Sequence, residues 1–300
     1  MQIKEDSLLH WWELPSECPI KIEEEYLKGI INRTDNYYIK KRVLESLKNK
    51  KKCLKNKTFE RILKYLKIKL DKAEDKITHI KSHNKPIRVK FPIKESYLHI
   101  QILAHTMFDG TKEKRACLRY KVRNDIPTKE LFKELLIKCF GKNCYGHTDN
   151  CYFLYKSFSE LLAKHYKITD FNSKRTYLSK KMLNLAKAPE FRRAILRAAF
   201  IDEGYSRHNT TSKNHEKFRL TLVSSIKNKR LAKQLVYLTN LENYTTSMYS
   251  CRNDSEHTIA ILTKSKRDFY NDIIKCLPNN HRKKIEAENA LNSTGLVRNY

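Results

Sequence analysis

Apolar residues recur three and four positions apart in two stretches between residues 36 and 68. The first stretch contains Ile39, Val43, Leu44 and Leu47, and the second contains Phe59, Ile62, Leu63 and Leu66. This spacing puts each set on one face of a helix and predicts two short helices joined by a Lys-rich turn. Such a basic pair fits either a helix-turn-helix or a plain helical subdomain with a solvated Lys face.

A different pattern occupies residues 77 to 95. Apolar and polar residues alternate there, and two prolines interrupt the run. Alternation is typical of extended chain, and proline removes a backbone donor from a strand. The segment is therefore predicted to be an extended linker or edge strands.

Beyond residue 95 the pattern of apolar and polar positions repeats. Two apolar helices are predicted, each ending in an acid followed by glycine, at 97–110 and 191–204. An alternating strand pattern follows each helix, at 116–124 and 218–226, and an amphipathic helix with Lys-x-Leu-x-Lys-x-Leu spacing comes next. A strand leading into a helix completes each copy, at 151–162 and 258–269. A repeat of this kind indicates two similar structural units in one chain.

The predicted fold class is α+β, with a small helical region preceding the repeated part. Five segments follow from the pattern: a helical and candidate helix-turn-helix region at 1–76, a linker at 77–95, a first half at 96–168, an inter-half linker at 169–189 and a second half at 190–292.

The two repeated helices end in Asp109 and Glu203, where the helix dipole disfavours negative charge. A bound divalent cation would compensate, because hard cations prefer carboxylate oxygens. The alternative is a solvated helix end at which Gly204 adopts a left-handed capping conformation. Small residues at one-turn spacing would let the two helices pack side by side about a pseudo-twofold axis: Ala104, Ala194 and Ala198. That packing would bring both acids together, which favours the cation.

Composition narrows the class of partner. The 62 Lys and Arg against 33 Asp and Glu leave a formal net charge of +29, which favours a polyanion. No apolar run is long enough to span a membrane, so nucleic acid is preferred over a lipid surface. The N-terminus lacks the apolar core of a signal peptide, and we expect an intracellular, cytoplasmic protein. Zinc at Cys139, Cys144, His147 and Cys151 is less favoured than buried thiols, because the close Cys pair of common structural sites is missing.

These features together resemble the LAGLIDADG homing endonucleases, in the monomeric type that carries two motif copies in one chain. "ILAHTMFDG" and "LRAAFIDEG" each look like the nine-residue motif, and the resemblance covers roughly residues 96 to 290. It implies two αββαββα halves, with the motif helices at their interface. It also implies that Asp109 and Glu203 bind catalytic Mg²⁺, for which Mn²⁺ can substitute. The register favours Glu203 over its neighbour Asp202, since Glu203 directly precedes glycine as Asp109 does.

The resemblance also implies roles for basic residues. Lys156 and Lys264 match the lysine that family members often place at the start of the helix after the fourth strand, near the scissile phosphates. Strand and loop residues would face the DNA major groove: Arg119, Lys121, Arg123, Arg207, Lys217, Arg219 and Arg252. The chain departs from the motif where His105, Thr106 and Arg197 put polar groups in the two motif helices.

The leading functional hypothesis is a site-specific, metal-dependent endonuclease that cuts both strands of duplex DNA and works as a monomer. Two acids at a shared helix end, with lysines nearby, suit metal-assisted phosphodiester hydrolysis. One alternative is a DNA-binding transcription regulator that keeps the fold without cleavage. Another is an RNA-binding maturase that assists intron splicing, since basic charge also suits RNA.

Overall fold

The structure is a computed structural model, and it describes residues 8–48, 53–82, 85–112, 118–121, 125–149, 151–171, 174–208, 218–251 and 255–293. Over these ranges the chain is a mixed α+β protein with three four-stranded antiparallel sheets and one two-stranded sheet. In the same part of the chain, every helix is too short or too polar to cross a bilayer.

The N-terminal region combines three helices with a small sheet. The helices are α1 (Glu24–Asn32), α2 (Tyr37–Lys48) and α3 (Asn56–Tyr65). The four-stranded sheet has the order β3-β2-β4-β5, with β2 at Pro19–Ile22, β3 at Leu54–Lys55, β4 at Ile77–Ser82 and β5 at Lys85–Arg88. A separate pair, β1 (Leu8–Leu9) and β6 (Ile93–Lys94), joins the two ends of the region.

This region differs from the prediction in its strands. The basic helix pair is present as α2 and α3, but residues 77–94, predicted as linker or edge strands, form β4, β5 and β6. β4 is paired on both sides, with β2 and with β5, so it is an interior strand. The region is therefore not purely helical. β2 and β3, of four and two residues, carry too little alternation to be seen in the sequence, whereas the alternation over residues 77–95 did indicate extended chain.

The N-terminal region packs on the helix α6 (Lys156–His165). Nδ1 of His165 lies 3.0 Å from the Glu13 carboxylate, and its Nε2 lies 3.0 Å from Glu95. Near the other end of α6, Sγ of Cys18 lies 3.3 Å from Oγ of Ser157. These contacts attach the region to the part of the chain that follows it.

The remaining chain contains two sheets with the same strand arrangement. The first has the order β7-β8-β10-β9, with β7 at Gly110–Lys112, β8 at Leu118–Lys121, β9 at Tyr145–Thr148 and β10 at Cys151–Leu154. The second has the order β11-β12-β14-β13, with β11 at Tyr205–His208, β12 at Phe218–Ile226, β13 at Thr246–Cys251 and β14 at Glu256–Ile261.

Each of these sheets is preceded and interrupted by a helix. α4 (Tyr97–Phe108) leads into the first sheet and α5 (Ile126–Phe140) connects its two strand pairs, while α8 (Pro189–Glu203) and α9 (Lys229–Leu241) do the same in the second. The residues at the starts of α4 and α8 are ones that favour the beginning of a helix. The Ser96 side chain caps α4 by accepting from the Leu98 N–H, and Pro189 occupies the first turn of α8, where no backbone donor is needed.

The other helices are short or lie near the C-terminus. α7 (Lys180–Leu185) falls in the predicted inter-half linker. After β14 come α10 (Lys266–Phe269), a π-helical turn at Tyr270–Ile274 and α11 (Arg282–Ser293), and α11 packs against β11 and β12.

Candidate active site

The two motif helices pack directly against each other. α4 and α8 form the most extensive helix contact in the described part of the chain. The predicted interface residues Ala104, Ala194 and Ala198 are all fully buried, as close packing of two helices requires. Both helices run into the first strand of their sheets, and their acids therefore lie at helix-to-strand junctions.

Glycine follows each acid because the backbone leaves no room for a side chain. A Cβ atom on Gly110 would lie 2.6 Å from the Arg119 carbonyl oxygen, and one on Gly204 would lie 2.7 Å from the Leu222 carbonyl oxygen. The alternative prediction of a left-handed cap at Gly204 is wrong, because its φ of −84° is an ordinary extended conformation. The glycines allow the neighbouring strand to approach the helix end closely.

Both acids have raised pKa values. Burial raises the pKa of Glu203 to about 7, and the nearby charges of Asp109 and Asp202 add to the rise. Asp109 keeps an exposed surface, yet desolvation of its carboxyl group and the charge of Asp202 raise its pKa to about 6. The acids are therefore held close to other negative charge in partly dry surroundings, which a cation would relieve.

Asp202 has a different role from its neighbour. Its side chain is completely buried, and both of its carboxylate oxygens lie 3.0 Å from Nδ1 of His105. The Tyr120 hydroxyl also donates to it. Asp202 thus links α8 to α4 and β8, and its oxygens are already in use. The choice of Glu203 over Asp202 as the metal ligand stays a prediction.

The other polar residues of the motif helices also have partners. The Thr106 hydroxyl donates to the Leu103 carbonyl oxygen at 2.7 Å, and Nε of Arg197 donates to the Ile273 carbonyl oxygen at 3.4 Å. Hydrogen bonds thus account for Thr106 and for one donor of Arg197, whereas Nε2 of the buried His105 ring has no hydrogen-bond partner among the described residues.

Lys283 is the functional candidate that the sequence pattern does not reveal. It lies in the first turn of α11 and is buried, and its Nζ donates to the carbonyl oxygens of Phe200 and Ile201 in the last turn of α8. Burial lowers its pKa, while the carboxylates of Asp202, Asp109 and Glu203 oppose that effect. A cation from α11 thus partly compensates the acids at the α8 C-terminus.

The two predicted lysines are exposed. Lys156 begins α6 directly after β10, and its Nζ lies 3.7 Å from a carboxylate oxygen of Glu160. Lys264 lies in a short 3-10 turn after β14 and is also exposed. Both occupy the chain positions predicted for them, at the start of the helical segment after the fourth strand. Their role near the acids stays a prediction.

A small pocket of about 210 Å³ opens beside Glu203. Lys174 and Lys227 line it together with the end of α4. The end of β12 next to the pocket is irregular. Its pairing to β14 contains two register shifts, and Ser225 has a φ of 62°. Backbone irregularity of this kind concentrates at functional sites.

Arginines lie on one face of each sheet. In the first sheet Arg119 pairs across the strands with Phe153, and its guanidinium stacks 5.4 Å from that ring. In the second sheet Arg207 and Arg219 lie directly opposite each other, and Arg219 stacks 5.6 Å from the Tyr249 ring. Like charges directly opposite each other are unfavourable unless an anion lies between them.

The remaining predicted DNA contacts are only partly described. Lys121 is exposed at the end of β8. Arg123, Lys217 and Arg252 lie outside the described residues.

The described cysteines and other metal-ligating side chains do not indicate a second metal site. Cys144 donates through its thiol to the Leu136 carbonyl oxygen, and burial raises its pKa to about 12. Cys151 lies 3.0 Å from the Thr148 hydroxyl. Among the described residues, no group of three or more His, Cys, Asp or Glu side chains is placed to hold a metal ion by itself.

Comparison with solved structures finds homing endonucleases. I-DmoI in complex with DNA and Mn aligns with a TM-score of 0.40 and 15% identity, over 59% of this chain and 96% of that chain. I-WcaI bound to its DNA recognition sequence aligns with a TM-score of 0.41 and 17% identity, over 63% of this chain and 86% of that chain. No family model and no curated protein sequence matches the chain.

Proposed function

We propose that this protein is a site-specific, metal-dependent DNA endonuclease that hydrolyses phosphodiester bonds in both strands of a duplex. The observation that carries the proposal is the pair of packed helices ending in Asp109 and Glu203, whose carboxyl groups have raised pKa values in each other's vicinity. One or two catalytic metal ions bound at this junction would give the two halves of the chain a shared active site.

The donor set fits a hard divalent cation, Mg²⁺ or Mn²⁺. Both side chains are carboxylates, and burial, followed by nearby negative charge, raises the pKa of each. A bound ion would supply Lewis-acid activation of a phosphate oxygen and of the attacking water. Two protein carboxylates leave coordination positions open, and phosphate oxygens and water are the natural ligands for them.

The chain's own residues would orient the reaction. Asp202, held by His105 and Tyr120, fixes the end of α8 relative to α4, so that Glu203 and Asp109 keep their spacing. Lys283 places a positive charge beside the acids, where negative charge develops on the phosphate in the transition state. Lys156 and Lys264 are proposed to add positive charge near the two scissile phosphates.

Duplex DNA would lie along the arginine-bearing faces of the two sheets. The stacked Arg119 and the opposed pair Arg207 and Arg219 offer guanidinium groups to phosphates and to guanine edges in the major groove. Repulsion between the two opposed arginines would be relieved by a phosphate, which supports an anionic ligand at this face.

We further propose how the chain is organised around this site. Residues 96–168 and 190–292 are the two pseudo-symmetric halves, and they complete one site in a monomer. The N-terminal region, with its basic helices α2 and α3, extends the contact with DNA. An intracellular location follows from a nucleic-acid target.

A selection experiment tests the function. Duplexes bound by the protein are enriched from a random library, and the selected site is incubated with the protein and Mg²⁺ or Mn²⁺. The proposal predicts metal-dependent double-strand breaks with wild-type protein and none with Asp109→Asn or Glu203→Gln, although both variants still bind the site. Tight binding of the selected site without any nicking by wild-type protein would instead indicate the DNA-binding regulator.

A further inference from the structure

A basic pocket of about 540 Å³ lies between α7 and α9, and neither Asp109 nor Glu203 lines it. Its lining consists of Leu183, Lys229, Arg230, Lys233, Gln234 and Tyr237. Tyr237 is 44% exposed, so its side chain is accessible to a ligand. The pocket is a shallow depression open to solvent, with room for a single nucleotide unit.

Hydrogen bonds hold the walls of this pocket in place. Gln234 on α9 binds Leu178 twice, accepting from its N–H and donating to its carbonyl oxygen at 2.9 Å each. The Asn228 side chain donates to the Thr176 carbonyl oxygen. Arg230 lies 3.6 Å above the Tyr177 ring. The segment before α7 is thus fastened to α9, and the pocket is preorganised.

The positive charge in this pocket has no local compensation. Within the described residues, no acidic side chain lines it, and Lys229, Arg230 and Lys233 make no ion pair. The corresponding helix of the first half differs. In α5 the residues aligned with Arg230 and Gln234 are Glu130 and Glu134, and they pair with lysines on the same helix.

The pocket is on the opposite side of the second sheet from the arginine-bearing face. The Thr239 hydroxyl of α9 lies 3.4 Å from the hydroxyl of Thr246, which is in register with Ile261 and, through it, with Leu220. Arg219 precedes Leu220 on β12 and therefore projects from the other face. A duplex bound to the arginine-bearing face of the second sheet would therefore not contact this pocket.

We propose that this pocket binds a nucleotide unit of a single-stranded nucleic acid, as a second site separate from the duplex site. Lys229, Arg230 and Lys233 contact phosphates, and an unstacked base lies on the exposed ring of Tyr237. Basic side chains beside open aromatic rings are the features by which proteins bind single strands, whereas a duplex keeps its bases stacked inside. Binding here is independent of cleavage at the acids.

Fluorescence anisotropy with the full-length protein tests this proposal. The probes are a labelled single-stranded RNA, the DNA strand of the same sequence and the corresponding DNA duplex. The pocket variant is Lys229→Ala with Arg230→Ala and Lys233→Ala. The matched control removes three lysines from the equivalent helix, namely Lys129→Ala with Lys133→Ala and Lys138→Ala.

The pocket variant is expected to weaken binding of a single strand by about tenfold or more, and to leave duplex binding within about twofold. The slope of log K against log salt for the single strand should fall by up to about 2, for three phosphates at about 0.7 each. A preference for RNA or for DNA identifies the source of the strand. Tyr237→Ala should weaken single-strand binding. Tyr237→Phe should bind the single strand as wild-type protein does, because the ring is kept.

Three results would overturn the proposal: unchanged single-strand binding by the pocket variant, an equal loss for the duplex, or an equal loss in the α5 control. Circular dichroism and thermal melting of both triple variants guard against misfolding. Because no cleavage is measured, the outcome is independent of whether the endonuclease proposal holds.

Discussion

Replacing Glu203 by Gln should stabilise the metal-free protein at alkaline pH. Burial and the charges of Asp109 and Asp202 raise the Glu203 pKa from 4.5 to about 7. A carboxyl group whose folded pKa is raised binds its proton more tightly in the native state than in the unfolded state. Its ionisation therefore costs stability as pH rises from the unfolded pKa to the folded one.

The magnitude follows from the two pKa values. A rise from 4.5 to about 7 corresponds to about 3 kcal/mol at pH 8, and the half-buried position of Glu203 makes this an upper estimate. Gln has the same shape and no charge, so Glu203→Gln should gain up to about 3 kcal/mol at pH 8 and nearly nothing at pH 4. For a chain of 300 residues this is about 5 °C in melting temperature.

Thermal melts in EDTA at pH 4 and pH 8 measure the effect. Glu190→Gln, at the exposed first turn of the same helix, is the control, and it should show no gain. Adding Mg²⁺ at pH 8 should stabilise wild-type protein and abolish the advantage of the variant, because metal binds only the ionised acids. A Glu203→Gln protein that is no more stable than wild type at pH 8 without metal would refute the reasoning.

Other substitutions probe the surroundings of the acids. Gly204→Ala should destabilise by about 1–3 kcal/mol in urea unfolding because its methyl group would strike backbone, whereas Gly29→Ala in α1 has open space and should not. Lys283→Met should lower the free energy of unfolding by about 1–3 kcal/mol, since the hydrogen bonds from Nζ to the Phe200 and Ile201 carbonyl oxygens are lost, and should slow cleavage as well. Arg207→Ala with Arg219→Ala should reduce the salt slope of duplex binding by up to about 1.8, for two phosphates; an unchanged slope would place DNA elsewhere.

Local pattern was enough to predict much of the fold. The strand predicted at 218–226 is observed as β12 at those positions, and the motif helix predicted at 191–204 is observed at Pro189–Glu203. Long apolar periodicity and an acid followed by glycine are signals within one segment, so they can be found without knowing what packs against them. In the N-terminal sheet β2 and β3 were missed, because they are short and the pairing of β2 with β3 and β4 joins residues far apart in the chain.

The side chains that surround the acids were harder to predict from the sequence. Lys283 follows Glu203 by 80 residues in a Lys-rich chain, and nothing local distinguishes it from exposed lysines. His105, Tyr120 and Asp202 likewise meet only through the packing of α4, β8 and α8. Contacts of this kind depend on three elements at once, whereas a repeat reveals only which positions are equivalent.

The most direct measurement is the location of Mn²⁺ in a crystal of the protein with its selected duplex, found by anomalous scattering. The proposal predicts Mn²⁺ within about 2.5 Å of carboxylate oxygens of both Asp109 and Glu203, with further oxygens from phosphate and water. The same crystals grown with Asp109→Asn should lose that density while DNA stays bound. Mn²⁺ bound elsewhere, with the two carboxylates more than a water's width from any metal, would contradict the shared metal site.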